Sequence, residues 1–420
     1  MRMKWNKSGQ LLLVAMASLT SATLIAACGQ ISASLTADFV FVTSARAAGP
    51  NSYGEVDVFE INSQSGHMRQ IPSSPFPSGG RNPVAEAVAS DNSNLYVVNR
   101  DDNTIVRFVI GSDGKLYPYQ TVNTPGIFPM AVTVAGSTLF VADTYQPLPA
   151  CSSASPCSGS IAAFPIDSTS TDSTAKNSLV TRVPVNSCNG SEYLPLALTG
   201  TAATHIIQPM AIHGSAKNNT LFVAAKDTTA NAGYLFGYTV SSLACKSPAD
   251  PTKTVNISVL TPLAGSPWAA GHTPSSVAQD GSGNLVYVTD FDGQSVLGFA
   301  VNGGNVTSIG TFGAGNQPAS IAISGSGKYA FVANSLDSTV TVYSVSNGQL
   351  TRVESQATDT QPVAVGVDPK LDQYLFTANF LASTVSGYQI NANSGALVNS
   401  QFSPFKGNAD LTAVAAVPHK

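Results

Sequence analysis

Charged side chains are scarce in this chain: Asp, Glu, Lys and Arg make up 10% of its 420 residues, and the formal net charge is −4. So thin and slightly acidic a charge leaves no basic footprint for nucleic acid. Histidine is thinner still. His67, His205, His213, His272 and His419 stand without ligand spacing, so neither a copper nor a zinc centre is expected. No glycine-rich phosphate loop opens a helix after a strand, and no cofactor is implied. Cysteine is limited to five residues, and the one long apolar run lies at the very start. What is plentiful is Gly, Pro, Ser, Thr and Asn, the usage of a β-rich exported protein rather than of a helical enzyme.

Arg2, Lys4 and Lys7 form a short cationic start before the apolar run 11–27, which stops at Cys28. This is the layout of a secretory signal and is too short to count as a stable membrane span. Ile25, Ala26, Ala27 and Cys28 resemble the lipobox of bacterial lipoproteins, in which the Cys thiol takes the lipid. The resemblance implies a signal peptide over 1–27, then lipidated Cys28 and a linker over 28–37, and a protein tethered by acyl chains with no spanning helix. Gly29 after the Cys favours the outer membrane or cell surface. An exported location also permits disulfides among Cys151, Cys157, Cys188 and Cys245.

The rest of the chain repeats. Seven apolar, β-branched runs finish on an aromatic, one spacer and an aliphatic: Phe59 and Ile61, Phe108 and Ile110, Phe164 and Ile166, Tyr238 and Val240, Phe299 and Val301, Tyr343 and Val345, Tyr388 and Ile390. Each follows a second repeated strand, over 39–44, 95–99, 139–143, 221–225, 285–290, 329–334 and 374–379. Six units open on Pro83, Pro129, Pro209, Pro274, Pro318 and Pro362, each before a small-and-apolar run. The tidiest unit, 318–361, reads as four antiparallel strands joined by hairpins. A four-stranded unit repeated about every 44 residues is a propeller blade. The first unit lacks a first strand, and a spare one, 411–417, stands at the C-terminus. If it joins the first unit the ring closes with no open edge. The expectation is an all-β, seven-bladed propeller over 38–418.

Tyr287, Val288, Thr289 and Asp290 with Ser295 and Val296, and 331–334 with Ser338, Thr339 and Val340, resemble the YVTN-type propeller repeat. Ser74-Pro75-Phe76, Ser266-Pro267-Trp268 and Ser403-Pro404-Phe405 resemble linkers of the propeller lactonase family, which includes 6-phosphogluconolactonases and muconate-cyclising enzymes as well as envelope proteins. The resemblance implies a lactonase-like propeller and brings no catalytic motif residue by residue.

Long excursions after the second strand gather on one face, here called upper, in units one, three and four. Such clustering marks a binding surface, for a small molecule, a glycan or an envelope protein. Cys151 and Cys157 lie within one excursion, while Cys188 and Cys245 fall in lower loops of units three and four. Cys151–Cys157 with Cys188–Cys245 is the favoured pairing, and four thiols so separated do not suit zinc. Asp290 and Asp292 before Gly293 hint at calcium, though a hairpin turn explains Asp-Gly equally well.

Two residues break the repeat's own rule: Glu86 stands where five units put Val or Ile, and His213 stands where others put Ala, Thr or Gly. With Arg100, which ends the adjoining strand, they are the candidate catalytic residues, Glu86 or His213 as base and Arg100 as anion anchor. A sugar phosphate would want more upper-face cations than Arg100 and Lys226 provide. The sequence therefore reads first as a monomeric binding or interaction module at the cell envelope, with a lactone hydrolase as the alternative. A redox propeller with an organic cofactor ranks third.

Overall fold

The computed structural model describes residues 36–172, 174–198, 205–248, 250–369 and 372–419. The signal segment and Cys28 lie outside the described residues. Seven small antiparallel sheets follow one another as the blades of a ring. From the axis outwards, blade 2 is Pro83–Val88, Asn94–Asn99, Thr104–Ile110 and Leu116–Asn123, and blade 6 is Pro318–Ile323, Tyr329–Asn334, Thr339–Ser346 and Gln349–Ala357. Every blade has this order, and the ring closes as the sequence implies. Leu411–Pro418 pairs antiparallel with Thr36–Ala48, setting Ala413 opposite Thr43 and Ala415 opposite Phe41, and so supplies the innermost strand of blade 1.

Each seam between blades is packed with buried apolar side chains. The third-strand rings Phe59, Phe108, Phe164, Tyr238, Phe299, Tyr343 and Tyr388 are all buried, each contributing roughly 1.5 to 3 kcal/mol. Several phenols also stitch neighbours together: Tyr343 and Tyr388 donate back to the carbonyls of Gly313 and Ala357, at 2.6 and 2.8 Å. Tyr287 and Tyr374 donate forward to Gly348 and Ser63. Small residues fill the hub, where the blades converge.

The Ser-Pro pairs have a specific job. In blades 1, 4 and 7 the outermost strand is broken, as in Met68–Gln70 followed by Phe76–Pro77, and the break holds Ser74, Ser266 or Ser403 before a cis proline. At each break the Ser hydroxyl accepts a third-strand N–H, from Val58, Gly237 or Gly387, at 2.9 to 3.0 Å. A side chain thus replaces the missing ladder acceptor.

Blade 3 departs from the expected layout. Its fourth strand is split into Ser178–Leu179 and Tyr193–Pro195, with Cys188 in the interruption rather than in a simple lower turn. The placement of Cys188 in a lower loop of unit three misses this split, because the interruption carries no repeat signal. Blade 4 answers with an unusually long hairpin, Ala232–Lys246 against Thr254–Pro262, and Cys245 near its tip is bonded to Cys188. Val183, Cys245 and Ile257 make a small satellite core there. The other disulfide joins Cys151 to Cys157, as expected.

Candidate functional site at the upper mouth

The upper mouth is built by a repeated junction. In blades 3, 5 and 6 the second strand ends on a buried Asp or Asn, Asp143, Asp290 or Asn334, whose oxygens accept N–H groups of the linker that enters the same blade. Asn334 takes Gly315 N–H at 3.0 Å, and Asp290 takes His272 and Thr273 N–H at 2.9 Å each. The linker presses so close that Gly271, at φ +82, could not carry a Cβ without meeting the Asp290 carboxylate at 2.0 Å. The next residue then donates its N–H to the carbonyl of the residue before the inner-strand Pro or its counterpart Leu411: Ala45 to Asp410, Arg100 to Asn82, Phe291 to Thr273, Ser335 to Gln317 and Phe380 to Gln361. These side chains occupy equivalent stations around the opening. Thr144 and Lys226 hold the same station in blades 3 and 4.

The stations differ in chemistry. Arg100 of blade 2 places its guanidinium 5.2 Å from the ring centroid of Phe128, the mouth residue of blade 3. Its Nε is buried without a hydrogen bond. Lys226 of blade 4 reaches forward in the same way, donating to the Thr273 hydroxyl of blade 5 at 2.7 Å, with the Asp292 carboxylate 3.8 Å away. Two cations therefore lean over the mouth from alternate blades. Phe128 is held in the left-handed region at φ +56, a conformation that the equivalent Asn82, Gln317, Gln361 and Asp410 share at φ 53 to 59. For a bulky apolar residue this backbone is costly and marks a constrained position. Phe128 N–H donates to Asn103 Oδ1, its carbonyl accepts from Thr144, and its ring lies 6.1 Å from that of Tyr145.

Blade 4 carries the most reactive arrangement. Its second strand runs two residues further than in blade 2, to Asp227, and Ala225 takes the usual Asn or Asp place. Asp227 is fully buried and accepts the backbone N–H groups of Thr229 and Ala230 at 2.9 and 3.0 Å and Nδ1 of His205. Burial alone would raise its pKa, but the Ala230 N–H, the imidazole and the Thr229 N–H together hold the carboxylate below its ordinary value. A carboxylate fixed on Nδ1 orients the ring and leaves Nε2 as the proton acceptor, the usual device for a general base. The His205 side chain is 30% exposed, so the imidazole is partly open to solvent. Next to Thr273, His272 brings its Nδ1 to 3.5 Å from Asp290, but with 66% exposure.

The structure does not bring Glu86, His213 and Arg100 together. Glu86 is three residues down the inner strand of blade 2, opposite Val97, or about 10 Å below the mouth. Both its oxygens are sealed in the seam with blade 1, without a hydrogen bond of normal geometry. The donor that faces them is the backbone N–H of Ala415. Desolvation pushes its pKa up to about 8, which keeps the carboxyl neutral at physiological pH. His213 sits at comparable depth in blade 4, opposite Phe222, and burial lowers its pKa to about 4, so it too is neutral. No ion pair joins Glu86 to Arg100 among the described residues. Arg100 alone of the three reaches the mouth.

His205 and Asp227 escaped the sequence reading because they are 22 residues apart and His205 precedes the strand frame by a variable linker. One signal was available. Blade 4 lacks the Asn or Asp at position 225 and has an Asp two places later. Elsewhere, a cleft of about 530 Å³ opens on the lower face between blades 3 and 4, lined by Ser137, Ser215, Ser241, Ser242 and Ser258 among others, with no titratable group. No three His, Cys, Asp or Glu gather as metal ligands among the described residues.

The family model described as lactonase, 7-bladed beta-propeller, matches residues 52–147 and 305–409. Among solved structures, a candidate 6-phosphogluconolactonase of Bacteroides uniformis superposes with a TM-score of 0.66 at 19% identity, over 91% of this chain and 100% of that one. The periplasmic gluconolactonase of Pseudomonas aeruginosa gives 0.63 at 18% identity, over 90% and 99%. A Lactobacillus plantarum protein gives 0.66 at 16%, over 91% and 99%. No curated protein matches the chain.

Proposed function

Because this chain is a lactonase-like seven-bladed β-propeller, we propose that it hydrolyses a lactone at the upper mouth. The observation that carries the reading is the His205–Asp227 pair one strand position from Lys226. In this mechanism His205 Nε2 takes a proton from water as the water oxygen attacks the lactone carbonyl carbon. Lys226 faces the oxyanion of the tetrahedral adduct. Collapse breaks the ring C–O bond, and the leaving alkoxide takes the proton back from His205, giving a hydroxy acid. Arg100, stacked on Phe128, anchors the polar or anionic side of the substrate.

The solved relatives named for lactonases favour this hydrolase over the binding module expected first. The protein is further proposed to be exported and lipid-anchored through Cys28. Thr36–Ala48 is a second-type strand that starts at the lower face, so such a tether would turn the mouth away from the membrane. The test is turnover of a panel of lactones by the form lacking the first 28 residues. His205→Ala and Asp227→Asn should each lower kcat at least about 100-fold, as loss of a positioned base does. Unchanged rates in folded variants would refute the assignment.

A further inference from the structure

The mouth stations are segregated by polarity. Blades 2 and 4 present Arg100 and Lys226, while the same station in blades 5 and 7 holds Phe291 and Phe380, whose N–H groups bond to the linkers of their own blades as Arg100 does. One residue further on, at the turn tips, blades 2 and 5 carry Asp101 and Asp292, whereas the adjacent blades 6 and 7 carry Leu336 and Leu381. Both leucines are 65% exposed, among the highest values for large apolar side chains in the described residues. The Leu336 N–H lies 3.4 Å from the carbonyl of Asn316, one residue before the mouth residue Gln317, which places that tip beside the opening. Exposed large apolar residues scattered singly need no explanation. Two at one repeat position in neighbouring blades, on the same side of the ring as the Phe291 and Phe380 stations and across from Arg100, call for an account.

We infer that the substrate is an amphiphile: a lactone whose ring carries an alkyl chain, with the ring held at the His205, Lys226 and Arg100 side and the chain lying across Phe291, Leu336, Phe380 and Leu381. This rests on the lactone-hydrolase reading and adds the substrate class. A phosphorylated sugar lactone has no use for an apolar arc. An alkyl chain meets the opposite case, since each methylene that leaves water for the arc adds binding that a bare ring lacks.

The experiment compares γ-butyrolactone with γ-decalactone, which adds a hexyl chain to the same ring. Turnover is followed by acid release with the form lacking the first 28 residues. With about half of the chain buried, kcat/KM for the longer lactone should exceed that for the shorter by about 30-fold. The double variant Leu336→Ser, Leu381→Ser should bring the ratio down to about 3, while Phe402→Ser, which removes another exposed ring, should leave it alone. A wild-type ratio near 1, or a ratio untouched by the double variant, overturns the inference and leaves the hydrolase standing. If neither lactone turns over, the hydrolase fails. Calorimetric binding of the same two lactones then decides the subsite: the 30-fold preference supports it, and equal or absent binding removes it.

Discussion

Replacing Glu86 by Gln should make the protein more stable, and by an amount that grows with pH. The Glu86 carboxyl has a folded-state pKa of about 8 against an ordinary value of 4.5, because the seam between blades 1 and 2 strips it of water and offers only the Ala415 N–H in return. A carboxyl raised in this way folds best when protonated. Its stability is fully present below about pH 4.5 and is lost as pH rises to about 8, where the folded state gives up its proton too. At about 1.4 kcal/mol per unit, the loss is roughly 3 kcal/mol at pH 7 and reaches a ceiling of about 5 above pH 8. Gln has nearly the same shape and no charge to desolvate. Asp57 and Asp143, raised to about 6 and about 7, and His213, lowered to about 4, also titrate on folding, but they are common to both proteins and cancel in the difference. Urea unfolding of wild type and Glu86→Gln at pH 5, 7 and 9 measures that difference directly. The gap should widen by about 3 kcal/mol or more between pH 5 and pH 9. Parallel profiles would show that Glu86 is ionised in the native protein, and that the account of this seam as dry and unpartnered is mistaken.

Two other perturbations probe the ring itself. Tyr343→Ala removes a ring buried between blades 5 and 6 together with its 2.6 Å bond to Gly313, and chemical unfolding should register a loss of about 3 to 5 kcal/mol. A loss under about 1 would take that ring out of the seam. Deleting residues 411–420 strips the inner strand from blade 1 and bares an edge along Thr36–Ala48, so the product should be insoluble. A soluble protein with an unshifted melting temperature would count against closure by strand exchange.

The legibility of this molecule follows from its repetition. Seven copies of one hydrophobic pattern average out the ambiguity of any single strand, so blade number, strand order and the closing role of 411–417 could be read from the chain. Ser74, Ser266 and Ser403 were visible as a motif, yet only the fold reveals that their hydroxyls complete a broken ladder. Glu86 and His213 stood out for the same reason the blades did, as departures from a pattern. Departure from a pattern locates an unusual residue but not its depth, and both lie well below the mouth, where burial favours their neutral forms.

By itself the sequence determined the all-β ring, because strand period, turn residues and repeat spacing are local quantities; the cysteine pairing was only favoured there, and the fold is what brings Cys188 to Cys245 across 57 residues. The tertiary structure alone decided what meets at the mouth. His205 and Asp227 come together because a second strand runs two residues longer than its repeat requires, and Arg100 and Lys226 become equivalent only once their blades are superposed about an axis. Convergence of that kind depends on distances between linkers, and no spacing along the chain encodes those distances.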